Sequence, residues 1–190
     1  MKQVSAIILA AGNSGRMGSD KAQLPAGNGF SFAGKLVKGF SEFGVHPIVV
    51  VVNKNIDLSE LNPLQIITTL NEHLEKGRSW SILLGMKDVP GDCSCFLQNI
   101  DNPYIENELL DLLLDSVKPD SYAVPVYQGR GGHPVLLGGQ IVNYLKNLND
   151  LPDFKEVLKL YKRIETPYYN ERILLNINTP EDYDRFLKQS

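Results

Sequence analysis

Runs of β-branched and aliphatic residues alternate along this chain with amphipathic stretches, and that alternation restricts the possible folds more than any other feature. The aliphatic runs stand at Val4 to Leu9, Pro47 to Val52, Gln65 to Leu70, Cys93 to Ile100 and Tyr122 to Tyr127. Several have no polar residue at alternate positions, as expected of strands covered on both faces. Between them, Phe32 to Phe43, Trp80 to Lys87, Ile105 to Val117 and Ile141 to Leu148 carry helical patterns. The pattern predicts an α/β fold, a three-layer α/β/α sandwich around a mostly parallel central sheet.

After Leu148 the pattern changes. Asp153 to Tyr161 is helical in character, Arg163 to Ile177 suggests one or two strands, and Asn178 to Gln189 reads as a terminal helix. Its start is well marked: Thr179 can cap, Pro180 suits the first helical position, and Glu181 and Asp182 bring carboxylates to the positive end of the helix dipole. No linker, repeat or low-complexity segment interrupts the chain, so residues 1–190 are expected to form one domain. A chain of that length buries roughly 70% of its unfolded surface without disulfides.

With 43% hydrophobic and 22% charged residues, the chain lies outside the disordered and fibrous classes. Its 19 Lys and Arg against 22 Asp and Glu leave a net charge of −3, which provides no basic field for a nucleic acid. The apolar start is too short to span a membrane and lacks a signal-peptide layout, so it reads as a first strand and the expected location is cytoplasmic. Cys93 and Cys95 fall on one face of a strand, without a companion C-x-x-C pair or His cluster. They read as buried thiols rather than metal ligands.

Directly after the first strand comes the segment Ala10 to Lys21, AAGNSGRMGSDK. Gly12, Gly15 and Gly18 let the main chain approach a polyphosphate, its N–H groups supply donors, and Arg16 and Lys21 supply positive charge. A P-loop is excluded, because Asp20 stands where its second glycine belongs and Ala22 where its hydroxyl belongs. The dinucleotide fingerprint fails too, since Ser14 is the second residue after Gly12. Glycine spacing alone leaves a flexible surface loop as the alternative.

The order LAAG, Ser14, Arg16-Met17-Gly18, Lys21 and Leu24-Pro25 resembles the signature of nucleotidyltransferases with the nucleotide-diphospho-sugar transferase fold, which is GT-A-like and Rossmann-like. Within that group the chain is similar to the MobA-like NTP transferases, the molybdenum cofactor cytidylyltransferases and their guanylyltransferase relatives. The likeness continues in order through Asn71, Gly77 to Ser81, Asp101-Asn102-Pro103, Gly132 to Val135 and Asn176 to Asp182. The LAAG form resembles the cytidylyltransferase side. Asn176 and Asn178 stand where that side has aspartates, as in the guanylyltransferase-like pattern.

The resemblance implies an enzyme that transfers CMP, or GMP, from a nucleoside triphosphate to a phosphorylated small acceptor such as molybdopterin or molybdenum cofactor, with release of pyrophosphate. The implied nucleotide contacts are Leu9, Ala10, Ala11, Gly12, Ser14, Arg16, Gly18, Lys21, Asn71, Gly77 and Ser79, with Arg16, Lys21 and Asp101 catalytic. Asp101 follows an apolar run, so it should emerge at the C-terminal end of a central strand, where open α/β sheets gather their ligands. A carboxylate there can hold Mg²⁺, which commonly uses one or two protein oxygens; Asn178 or Asn176 would be the second metal ligand. Arg130 and His133 are the implied acceptor contacts.

Each residue also has a plainer reading. Asp101 and Asn178 suit turns, Ser79 suits a helix cap, and Gly129 to His133 suits a simple hairpin. Arg78 and Trp80 stand where the family usually has small or apolar residues. Two other functions fit the same architecture: a GT-A-type glycosyltransferase using a sugar nucleotide, and a non-catalytic nucleotide-binding module.

Overall fold

A computed structural model describes residues 3–12, 17, 20–27, 29–53, 66–150 and 153–188. Ser14, Gly15, Arg16 and Gly18 of the glycine-rich loop lie outside the described residues. The strands are β1 (Val4–Leu9), β2 (Ile48–Val52), β3 (Ile66–Leu70), β4 (Ser94–Asn99), β5 (Ser121–Tyr127), β6 (Arg130–Gly131), β7 (Val135–Leu137) and β8 (Lys162–Pro167). They form one eight-stranded sheet in the order β3-β2-β1-β4-β7-β5-β6, with β8 paired to β5.

Parallel ladders join β3, β2, β1 and β4, and another joins β5 to β8. The sheet is mostly parallel, as expected, and its antiparallel pairings are those of β7, between β4 and β5, and of the β5–β6 hairpin. The connection from Tyr127 to Val135 contains only the hairpin strand β6, too little chain for the crossover a parallel neighbour needs. Gly132 makes this return possible: a Cβ there would collide with the main chain of Ile173, whose carbonyl accepts from His133 N at 3.0 Å.

The helices are α1 (Phe32–Glu42), α2 (Gly77–Lys87), α3 (Asn107–Ser116), α4 (Gly139–Lys146), α5 (Phe154–Leu158) and α6 (Pro180–Leu187). All six residues of β1 are buried, because alternate side chains enter two different cores. Ala6 and Ile8 pack with Phe32, Leu36 and Phe40 of α1, Leu109 of α3 and Phe186 of α6. Ile7 and Leu9 pack with Ile82 and Met86 of α2, Leu145 of α4 and Phe154 of α5. Each of the larger side chains among these contributes about 1.5–3 kcal/mol of transfer free energy, which is why the central strands have no polar period.

Cys93 and Cys95 are free thiols in this second core, and burial pushes the Cys95 thiol up to about 12. The segment expected to give one or two strands gives β8 and then a single 3-10 turn, Glu171–Leu174, started by Asn170, whose side chain accepts from Arg172 N at 3.0 Å. At the terminal helix the cap is complete. Thr179 Oγ1 accepts from Asp182 N at 3.2 Å, and Asp182 Oδ2 accepts from Thr179 N at 3.1 Å. Among the described residues, no helix is long and apolar enough to cross a membrane.

Candidate active site

A cleft of about 380 Å³ opens at the C-terminal ends of β1, β3 and β4, lined by Leu9, Ala11, Gly12, Lys21, Asn71, Leu74, Gly77, Arg78, Ser81, Asn99, Ile100, Asp101 and Asn178. Strand periodicity sorts the first of these. Leu9 and Ala11 reach the cleft, whereas Ala10 points into the opposite core under α1. Gly12 also lines the cleft, and its carbonyl accepts from Asn53 Nδ2 at 3.4 Å.

Lys21 begins a short 3-10 turn, Lys21–Gln23, that Asp20 starts by accepting from Ala22 N at 3.0 Å. Its ammonium donates to Asn178 Oδ1 at 2.6 Å across 157 residues of sequence. Asn178 is held from both sides. Ile177 N donates to Asp101 O at 2.9 Å, docking the C-terminal segment on the end of β4, and Asn178 N donates to Asp182 Oδ2 at 3.1 Å inside the cap of α6.

Asp101 therefore meets Lys21 and Asn178 at one end of the cleft. Burial raises its carboxyl above the ordinary range, while the charges of Lys21 and Arg78 pull it back down. The turn beyond is organised by Asn102, whose side chain accepts from Tyr104 N at 3.1 Å and donates to Ile173 O at 2.8 Å. The neighbour does the structural work that Asp101 could have done.

The other end of the cleft comes from the segment between β3 and α2. Asn71 is buried: its amide donates to Ser81 Oγ at 2.9 Å and accepts from His73 N at 2.8 Å. Its side chain orders the rim as well as lining it. Gly77 has φ of 72°, a left-handed conformation that a side chain would strain, and a Cβ there would meet no atom within 4 Å.

Several expected residues stand elsewhere. Ser79 does not line the cleft; its hydroxyl accepts from Phe154 N at 3.0 Å, which pins α5 against α2. Asn176 is turned away and lines a separate depression with Arg130, Arg172 and Arg185, although its Oδ1 accepts from Asn178 Nδ2 at 2.5 Å. Arg130 is exposed on β6, and His133 lies under Asn99, whose Nδ2 donates to its Nε2 at 2.9 Å. Arg130 and His133 thus line different cavities and do not share a site. Burial, then the nearby charge of Arg78, pushes the His133 imidazole down to about 4, so it is neutral. Trp80 packs into the second core and faces away from the cleft, with Lys76 Nζ 3.9 Å from its ring centroid.

Leu74, Ser81, Asn99 and Ile100 also line the cleft, although no motif marks them as contacts. Two of them carried a usable signal. Asn99 lies two residues before Asp101, which gives it the same strand parity, and Ser81 lies four residues after Gly77, on the same helix face.

Among the described residues no three His, Cys, Asp or Glu side chains gather to hold a metal. The donor set at Asp101 is one carboxylate and the neutral amide oxygen of Asn178. That chemistry fits Mg²⁺, which completes its octahedron with water and phosphate oxygens, and does not suit an ion needing a closed protein cage.

The same architecture occurs in solved proteins. A Mycobacterium tuberculosis protein, Rv0371c, superposes with a TM-score of 0.78 at 18% identity over 99% of both chains, and the same protein has been solved in complex with manganese. A nucleotidyl transferase from Methanothermobacter thermautotroptrophicus superposes with a TM-score of 0.78 at 21% identity, again over 99% of both chains. The fold is that of the nucleotide-diphospho-sugar transferase-like nucleotidyltransferases.

In sequence, the chain is 25% identical over 185 residues to the molybdenum cofactor cytidylyltransferase of Escherichia coli, covering 96% of this chain and 95% of that one. It is 27% identical over 190 residues to the molybdenum cofactor guanylyltransferase of Vibrio atlanticus, covering 97% and 95%. Residues 6–165 match the MobA-like NTP transferase domain, and the chain belongs to that family of nucleotidyltransferases.

Proposed function

We propose that the chain transfers a nucleoside monophosphate from CTP, with GTP as the second choice, to a phosphorylated acceptor of the molybdopterin or molybdenum cofactor class in a Mg²⁺-dependent reaction. The observation that carries this reading is the convergence of Lys21, Asp101 and Asn178 at one end of a cleft wide enough for a nucleotide. An acceptor phosphate oxygen attacks the α-phosphorus in line. The new P–O bond forms as the bond to the β-phosphate oxygen breaks, and pyrophosphate leaves.

A phosphate acceptor is already ionised near neutral pH, so no protein nucleophile or strong base is required. Catalysis consists of positioning and of fixed charge aimed where charge develops. Lys21, together with Arg16 and the glycine-loop amides, stabilises the leaving pyrophosphate. Gly77 admits the nucleotide close to the main chain, and Asn71 holds that rim in shape. Asp101, with Asn178 beside it, would hold Mg²⁺, which supplies Lewis-acid neutralisation of phosphate charge. The preference for CTP rests on the LAAG form, whose Ala11 methyl occupies the cleft wall; the asparagines at 176 and 178 keep GTP as the second choice.

The test is a pyrophosphate-release screen of the four nucleoside triphosphates against phosphorylated acceptors, including molybdenum cofactor forms, with Mg²⁺ present. CTP is expected to give the highest kcat/KM. Release from no triphosphate, together with thermal stabilisation by nucleotides, would instead identify a binding module. Transfer of a sugar without pyrophosphate release would identify a glycosyltransferase.

A further inference from the structure

The C-terminal segment takes part in two cavities. Asn178 lines the cleft, whereas Asn176 lines a separate depression of about 330 Å³. Three different elements bring cations to that depression: Arg130 from β6, Arg172 from the 3-10 turn and Arg185 from α6. A fourth stands close by. Lys35 Nζ lies 5.2 Å from the ring centroid of Phe186, which belongs to the same lining, and burial together with the charge of Arg172 lowers the Lys35 pKa. The chain as a whole carries a net charge of −3, so this positive charge is local.

Two carboxylates, Glu171 and Asp182, share the lining. Asp182 is engaged in the cap of α6, where its Oδ2 accepts from the N–H groups of Asn178 and Thr179, and its Oδ1 stands 4.0 Å from Arg185. The balance that remains favours an anion. Asn176 adds a neutral donor. Its Oδ1 accepts from Asn178 Nδ2, which leaves its own NH₂ without a partner among the described residues. Asn178 Oδ1 in turn accepts from Lys21 Nζ at 2.6 Å, so a chain of amides runs from the depression to the cation of the cleft.

We propose that the depression is a second anion site, built for the phosphoryl group of a small molecule, and that its occupancy steadies the Asn178 wall of the cleft. Guanidinium forks match the oxygens of a phosphate. A phosphate oxygen that accepts from the NH₂ of Asn176 holds that amide with Oδ1 toward Asn178, and Asn178 is then held toward Lys21. The site is distinct from the places of triphosphate and acceptor. Its influence on turnover rests on the nucleotidyl-transfer reading of the cleft; its capacity to bind does not.

Calorimetric titration of the full chain with inorganic phosphate, pyrophosphate and phenyl phosphate, at constant ionic strength, tests the site. Saturable binding should persist in Lys21→Gln, which weakens any phosphate binding in the cleft itself. Adding Arg172→Gln and Arg185→Gln, two exposed side chains, should raise the Kd about tenfold, as loss of charge-assisted hydrogen bonds predicts, with the melting temperature of the Lys21→Gln parent. Both source outcomes support the site: tighter pyrophosphate points to the product of transfer, and tighter phenyl phosphate to a phosphorylated metabolite. Backbone hydrogen exchange at Asn178 and Thr179 should slow when phosphate is bound, and Asn176→Ala should remove that slowing while the arginine-dependent binding remains. No saturable binding, an unchanged Kd in the arginine variants, or exchange indifferent to phosphate would overturn the proposal. Neither readout uses turnover, so a failed pyrophosphate-release screen would remove the transfer reading and leave the anion site standing.

Discussion

Asp101 is a carboxylate kept where burial disfavours its charge. Its folded-state pKa is raised, so the ionised form costs stability at neutral pH, and that cost is absent only at acid pH, where the group is protonated in both states. Asp101→Asn removes the cost. It should melt at or above the wild-type temperature while kcat/KM falls by about two to three powers of ten, the loss typical of a removed electrostatic contact. Melting curves and steady-state rates together check the split; a variant that melts well below wild type would show that Asp101 is structural. Lys21 opposes the same upward shift. In Lys21→Gln, kcat should drop about a hundredfold, and the acid limb of the kcat/KM profile should move to higher pH. An acid limb that does not move would separate Lys21 from Asp101.

At the scale of elements, the cap of α6 is also part of the cleft wall. Asp182 is held below the usual carboxylate range by the N–H groups of Asn178 and then Thr179, and the same bonds fix Asn178 beside Lys21. Thr179→Ala should cost about 1 kcal/mol of stability and also lower kcat through the freed Asn178. Because the folded Asp182 pKa is depressed, its contribution is present above the unfolded value and lost as pH falls through the folded one. The stability gap between Asp182→Asn and wild type, read from urea melts, should therefore be full at pH 7 and narrow below about pH 4.

Element by element, the sequence was readable where one force decided the outcome. The buried run Val4 to Leu9 ends as its apolar stretch ends, and Thr179-Pro180 starts a helix by local chemistry alone. That Lys21, Asp101 and Asn178 would come together in one cleft was legible because motif order carried them. Ser79 and His133 were not, because their partners Phe154 and Asn99 are distant in sequence and no local pattern records a long-range hydrogen bond. The short strand β7 was legible only as the second arm of the Gly129 to His133 hairpin, because three residues are too few to show a period.

For the whole molecule, the two cores on either face of the sheet carry most of the burial, and the cleft lies at the edge between them. A ligand that bridges β1, β4, α2 and the C-terminal segment ties together parts that would otherwise separate on unfolding. Mg²⁺ with the preferred triphosphate at about 100 times its Kd should add about 2.7 kcal/mol to the unfolding free energy. Calorimetry should then give a melting temperature that rises with nucleotide concentration. In Asp101→Asn the Mg²⁺-dependent part of that rise should disappear, while any metal-free nucleotide shift should remain.

The bond from Lys21 to Asn178 closes the cleft with one residue from early in the chain and one from near its end. Every strand of the sheet has been synthesised by Pro167. A fragment ending at Pro167 would contain every described strand but lack Asn178, and with it one wall of the cleft. Residues beyond Pro167 thus supply both a wall of the cleft, through Asn178, and part of the core under α1, through Ile173, Ile177 and Phe186.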